Sequence, residues 1–231
     1  MYFLTQKIRF NWVEKHFKYR FNDLSLLDQA LTHKSFSKVN NERLEFLGDS
    51  LLSFSISSRL YKIKHQTNEG DLSRFRSELV KGITLANIAK EINLSKYLIL
   101  GPGASSSGGG NSDSILACAI EAIVGAIYID GGYDLADKSI GVLFDYRLNQ
   151  LPHPSALKDS KTKLQEILQK LDRDLPIYKI TKIVGAEHDK HFYVSCQIDN
   201  GCLATEGKGS SRRIAEQKAA YEMIMKINNE K

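Results

Sequence analysis

The sequence predicts a two-domain chain: an all-α helical domain over residues 1–150, a short linker over 151–158, and a smaller α+β domain of order α-β-β-β-α over 159–228. Three observations carry this. Helix-type spacing of apolar residues recurs through the first 150 residues, where strand alternation is nearly absent. The texture changes at Leu151–Pro154 (LPHP), where two prolines break the helical pattern. Beyond that break, Phe192, Val194, Cys196 and Ile198 alternate with polar neighbours, the pattern of a strand with one dry face.

The helical segments of the first domain are Ser25–Leu31, Leu44–Leu60, Ser73–Ile92, Ser114–Ile129 and Leu135–Leu148. Thr67–Asp71 (TNEGD) is a polar turn, and Gly101–Asp113 (GPGASSSGGGNSD) a Gly/Ser loop. That loop lacks the GxxxxGK[ST] pattern of a phosphate cradle, so a flexible connector is expected. In the second domain, Lys161–Leu171 carries a helical stripe at 164, 167, 168 and 171. Asn200-Gly201 is a hairpin signal, with Cys202–Glu206 as the returning strand. Ser210–Ile227 is helical again, with Ala215, Ala219, Met223, Ile224 and Ile227 on one side.

Composition narrows the class. Apolar residues make up 42% and charged residues 26% of 231, ordinary values for a soluble globular chain. The balance of 32 basic and 27 acidic residues gives net +5 and permits a polyanion partner without requiring one. The basic excess per residue is larger after residue 150 (14 against 11) than before it (18 against 16). Three cysteines, an odd number, argue against a disulfide framework and for a reducing cytoplasmic setting. No membrane association is expected: the one long apolar run is rich in Ala and Gly, and the N-terminus has no apolar core of signal-peptide type.

Chemistry is expected where two helices meet. In Asn41–Ser50 (NERLEFLGDS), Glu42, Glu45 and Asp49 project from one side of a helix, and Glu45 and Asp49 share their azimuth with Leu52 and Ile56. That sets them on a partly buried edge. A solvated acidic stripe is the rival for these acids taken alone. Ile115–Ile129 (ILACAIEAIVGAIYI) has one charge in fifteen residues, Glu121, on a helix apolar nearly all round. A buried carboxylate there costs several kcal/mol unless paired or metal-bound. Its face also carries Cys118, Ala122 and Gly125, and Gly48 lies between Glu45 and Asp49. Packing the small residues together would gather Glu45, Asp49 and Glu121 into one cluster.

Oxygen-only ligands suit a hard divalent ion such as Mg²⁺, with Mn²⁺ as a substitute. A di-iron carboxylate centre would need Glu-x-x-His pairs, which neither helix has. Metal-assisted hydrolysis of a phosphate polymer remains. Cys118 as a nucleophile competes weakly, because a Cys on a buried apolar helix is usually inert packing.

NERLEFLGDS resembles the signature of the ribonuclease III family, and ALTHKS (30–35), EGDLSR (69–74) and ILACAIEAIVGAIY (115–128) match in colinear order. The resemblance implies a dimerising helical endonuclease domain that cleaves double-stranded RNA. It gives Glu45, Asp49 and Glu121 metal-binding positions, with Asp49 and Glu121 also catalytic, and puts Glu42 and Glu69 near the RNA. Phe46 falls on the aromatic residue that plugs a socket of the partner subunit in a homodimer; a second core face is the alternative. The chain departs from the family at Cys118, where Asp or Asn is usual. That implies either that the three acids suffice with extra water, or a weaker enzyme, or one favouring a softer ion such as Mn²⁺.

In the second domain, Lys208, Arg212 and Arg213 cluster at a helix start, where the dipole is already positive. Exposed N–H groups, serine hydroxyls and these cations form a phosphate site; a solvated Arg pair with Ser210 or Ser211 as N-cap is the alternative. Residues 159–227 also resemble the double-stranded-RNA-binding domain. The resemblance puts Gln165 and Glu166 at one minor groove, His188 at the next, and Ser211, Arg212 and Arg213 on the phosphates between, over about 16 base pairs. The implied whole is a homodimeric, Mg²⁺-dependent endoribonuclease giving 5′-phosphate and 3′-hydroxyl ends, active in ribosomal and messenger RNA processing. The rivals are a duplex-RNA-binding protein impaired at Cys118 and a helical protein with a fortuitous acidic cluster.

Overall fold

The structure, a computed structural model, describes residues 2–152, 159–186 and 189–229. The chain divides into two units, Met1–Pro152 and His153–Lys231. Most of the expected linker, residues 153–158, lies outside the described residues.

The first unit is helical throughout. Helix α1 (Tyr2–Phe17) has scattered charges and no clean stripe in sequence. It is held through Trp12, Val13 and Phe17, all buried. Trp12 stacks on Tyr97 at 4.6 Å and donates its indole N–H to the Ile92 carbonyl at 2.7 Å. Helix α2 (Leu24–Leu31) starts at Asp23, whose carboxylate accepts the Ser25 amide. Helix α3 (Glu42–Ile63) buries Leu44, Leu52, Ile56 and Leu60. Helix α4 (Glu69–Val80) is capped by Asn68, which accepts from the Asp71 amide.

The single helix expected over Ser73–Ile92 is two. Helix α4 ends and α5 (Gly82–Glu91) begins at Lys81, whose extended backbone (ψ 148°) serves as both caps. The Thr84 hydroxyl takes up the Glu78 carbonyl left over at the break, at 2.8 Å.

The Gly/Ser loop is not a plain flexible connector. It folds as α6 (Pro102–Ser106), with proline in the first turn, and a 3₁₀ turn at Gly109–Asn111. Gly101 anchors it: a Cβ there would lie 2.2 Å from the Ser35 carbonyl oxygen, and its amide donates to the Ser35 hydroxyl at 3.0 Å. The glycine lets one backbone dock on another, a non-local contact that composition does not announce.

Helix α7 (Asp113–Gly131) is the central element, packed against α2, α3, α5 and α8 (Tyr133–Asn149). By length and composition it is apolar enough to cross a membrane, yet residues Ala122 through Ile127 are all buried inside this fold. Helix α8 is tied to α3 by Asp137, which accepts from Ser55 at 2.5 Å and Arg59 at 2.7 Å.

In the second unit, α9 (Ser160–Lys170) is capped by Asp159. Three antiparallel strands follow in the order β1 (Ile177–Val184), β2 (His191–Ile198), β3 (Leu203–Gly209), and α10 (Arg212–Asn229) closes the unit. Leu164, Leu168, Cys196, Ile198, Ala219, Met223 and Ile227 share one core, so both helices cover the same sheet face. The β2–β3 connection passes through Asn200 in a left-handed conformation (φ 54°), the geometry its Asn-Gly pair favours. Alternation along β2 is imperfect: Ser195 is buried too, its small side chain lying between the cross-strand partners Lys179 and Glu206.

Candidate active site

Helices α3 and α7 touch backbone to backbone. A Cβ on Gly48 would lie 1.8 Å from the Glu121 carbonyl oxygen, and one on Gly125 would lie 2.2 Å from that of Leu44. This contact brings the acids of the two helices onto a single cleft of about 680 Å³, lined by Glu42, Glu45, Phe46, Asp49, Ser114, Cys118 and Glu121. One ligand-type atom each from Glu45, Cys118 and Glu121 lies within 4.8 Å of the others. Asp49 stands on the same wall, and its charge acts on Glu121. Glu45 and Glu121 are half-buried, while Asp49 is exposed rather than on a partly buried edge.

The electrostatics are those of crowded anions. Burial pushes the Glu121 carboxyl up to about 7, with the charges of Asp49 and Glu45 adding to it. Burial also pushes the Cys118 thiol up to about 12, helped by its hydrogen bond to Glu45 and the negative charge around it, and opposed by a hydrogen bond with Ser114. A thiol held protonated in this way is a poor nucleophile. Among the described residues, no Lys or Arg forms an ion pair with Glu45, Asp49 or Glu121. Carboxylates converging without a counter-charge fit a divalent cation.

The reading of Cys118 needs correction, and the alternative reading of Phe46 falls. Cys118 is not inert packing in the core: it is half-buried on the cleft wall. The crossing with α3 leaves that side of α7 open, although the helix is apolar nearly all round. Phe46 is not on a second core face, since it is 78% exposed at the cleft rim. Glu42 is exposed and ion-paired with Lys34 at 3.1 Å. Glu69 is exposed at the start of α4 and accepts from the Ser73 hydroxyl at 2.9 Å. Ser114 was missed as a cleft residue; its spacing to Cys118 and Glu121 (i, i+4, i+7) was the available signal.

In the second unit, Gln165 is exposed on α9 and Glu166 is half-buried beside it. His188 lies outside the described residues. The Ser211 hydroxyl accepts the Ile214 amide at 3.3 Å, so it acts as an N-cap within the basic cluster. Arg212 is partly committed: its Nε donates to Glu216 at 2.7 Å, and the same carboxylate takes Lys161 Nζ at 2.6 Å. Arg213 is exposed and lines, with Lys208 and Lys218, a cavity of about 570 Å³ between β3 and α10. Lys208 also lies over the Tyr193 ring at 5.5 Å.

Comparison with known proteins agrees with both units. A family model described as Ribonuclease-III-like matches residues 23–145, and one described as Double-stranded RNA binding motif matches residues 160–227. Ribonuclease 3 of Hahella chejuensis is 48% identical over 209 residues, covering 90% of this chain and 92% of the relative. Ribonuclease 3 of Vibrio cholerae is 46% identical over 211 residues, 91% of this chain and 94% of that one. The solved nuclease domain of ribonuclease III from Campylobacter jejuni is 38% identical, with a TM-score of 0.58, over 62% of this chain and 97% of that structure. With its nuclease-type and RNA-binding segments both matched in order, the chain belongs to the ribonuclease III family.

Proposed function

We propose that this chain is an endoribonuclease that hydrolyses phosphodiester bonds of double-stranded RNA, leaving 5′-phosphate and 3′-hydroxyl ends. Its divalent cation is Mg²⁺, with Mn²⁺ as a substitute. The observation that carries this reading is the convergence of Glu45, Asp49 and Glu121 from two helices on one open cleft, with no Lys or Arg among the described residues ion-paired to them. When bound, the cation lowers the pKa of a water and neutralises charge on a phosphoryl oxygen.

The chain's own residues do the rest. Glu45, Asp49 and Glu121 hold the cation, and the Gly48–Glu121 contact sets the distance between their helices. Lys34, paired with Glu42 at the rim, offers positive charge to an RNA phosphate. In the second domain, Gln165, Glu166 and His188 read the minor grooves by shape and 2′-hydroxyls, and Ser211, Arg212 and Arg213 hold the intervening phosphates. A tethered RNA-binding domain raises the effective concentration of duplex at the nuclease domain. Phe46, exposed beside the acids, is the contact to a second copy in a homodimer. A cytoplasmic role in ribosomal and messenger RNA processing belongs to the same reading, in keeping with three free cysteines.

The comparisons give no support to a binding-only protein impaired at Cys118, nor to a fortuitous acidic cluster, since the matched relatives are named Ribonuclease 3 along nearly their whole length. The deciding experiment incubates a long duplex RNA with the chain in Mg²⁺, in Mn²⁺ and in EDTA, with analysis of product ends. Cleavage in either metal and none in EDTA is expected. Glu121→Ala should lower the rate by about 10³-fold or more, the scale of several kcal/mol of lost charge stabilisation, while duplex binding persists. Binding without cleavage in both metals would overturn the reading.

A further inference from the structure

The cleft holds a donor set that carboxylates alone do not describe. Cys118 Sγ and one oxygen each from Glu45 and Glu121 all lie within 4.8 Å of one another. Ligands bound to a single four-coordinate cation sit about 3.5 Å apart, so small side-chain rotations close this triangle. The sulfur lies on the same cleft lining as Glu45 and Glu121. Its neighbours Ala117 and Ala119 are buried, so the α7 backbone holds the thiol at the cleft wall.

We propose that Cys118 is a metal-specificity residue, giving the centre a high affinity for borderline cations of the zinc class, with Glu45, Cys118 and Glu121 as the three protein ligands. The proposal rests on the metal-centre reading above and adds to it a sulfur ligand and an ion class. Mg²⁺ demands near-octahedral oxygen donors and dehydrates reluctantly, so it gains nothing from sulfur. Zn²⁺ accepts sulfur and oxygen together in a four-coordinate set, and the open cleft leaves its fourth position to solvent. The cysteine binds as thiolate and its proton passes to solvent. Zinc and magnesium therefore compete for Glu45 and Glu121, and zinc at low concentration inhibits magnesium-supported cleavage.

Cobalt(II), a coloured stand-in for zinc, tests this without RNA. Titrated into the full-length chain, it should produce a near-ultraviolet sulfur-to-cobalt charge-transfer band that saturates at one ion per chain. The band should vanish in Cys118→Ser and in Cys118→Asp, with folding of each verified by circular dichroism. It should survive in Cys202→Ser, which removes the exposed cysteine. Zn²⁺ affinity by calorimetry should fall at least about tenfold in Cys118→Ser, the lower bound for losing even an outer partner of a metal ligand. No band in the unaltered chain, or an equal band and equal zinc affinity in Cys118→Ser, overturns the proposal. A band that depends on Cys118 in a chain that cuts no duplex RNA would instead overturn the nuclease reading and leave the sulfur ligand standing.

Discussion

Gly48 on α3 and Glu121 on α7 are in backbone contact: a Cβ at position 48 would lie 1.8 Å from the Glu121 carbonyl oxygen, with the backbone carbon behind it at 2.6 Å. A side chain has no flexible neighbour to displace there, so the helices must separate. Gly48→Ala should cost about 3 kcal/mol or more, the upper range for overpacking, and should move Glu45 and Asp49 away from Glu121. Thermal unfolding reads the first effect. Calorimetric Mn²⁺ binding reads the second, which should weaken beyond what the lost stability explains. Unchanged stability would mean that the crossing is looser than the contact implies.

The acid cluster makes stability depend on pH in a stated direction. Glu121 has its carboxyl raised from 4.5 to about 7 in the fold, by burial and then by Asp49 and Glu45. Between those values the folded chain keeps a proton that the unfolded chain has released. Stability contributed by this group is therefore present at low pH and is lost as pH rises through about 7. In EDTA, the melting temperature of Glu121→Gln should exceed that of the unaltered chain by more at pH 8 than at pH 5. Added Mg²⁺ should stabilise the unaltered chain more at pH 8 than at pH 5, because binding requires the ionised acid. A pH-independent difference would remove Glu121 as the titrating group.

The basic cluster of the second domain should divide by its hydrogen bonding. Arg213 and Lys208 face an open cavity, whereas Arg212 is bonded to Glu216. Arg213→Ala should weaken duplex RNA binding with little regard to sequence and lower the slope of log affinity against log salt by about 1. Arg212→Ala should also weaken the unit itself, because it leaves Glu216, which is nearly buried, with Lys161 alone. Salt titrations of binding and thermal melts of the full chain separate the two effects. Equal salt slopes for the unaltered chain and Arg213→Ala would take Arg213 off the RNA.

Much of the site was legible in local spacing. Glu45 and Asp49 share a helix face, Glu121 is the lone charge on an apolar helix, and Gly48 and Gly125 mark where two helices approach closely. What stayed hidden is non-local. The opening of Cys118 to the cleft depends on how α3 crosses α7, which no property of α7 alone reports. The docking of Gly101 on Ser35 joins segments 66 residues apart. The break at Lys81 rests on one extended residue between two helices of good helical pattern. The partial commitment of Arg212 was written as an i, i+4 pair with Glu216, a signal outweighed by the expectation that every cation in the cluster faces phosphate.

Phe46 offers the clearest separation of assembly from chemistry. It is 78% exposed beside Glu45, on a helix whose outer side also presents Phe54 and Tyr61 to solvent. A monomer gains nothing from this arrangement, whereas in the proposed two-fold dimer each Phe46 would be buried against the partner. Burial of such a side chain contributes about 2 kcal/mol, and symmetry counts it twice. Phe46→Ala should thus weaken self-association by roughly 10³-fold, read by sedimentation velocity across a concentration series. Monomer stability should be nearly unchanged, because an exposed side chain supports no core. Cleavage rates should fall with dilution for Phe46→Ala at concentrations where the unaltered chain holds its rate. Equal dissociation of the two proteins would move the dimer contact elsewhere on the chain.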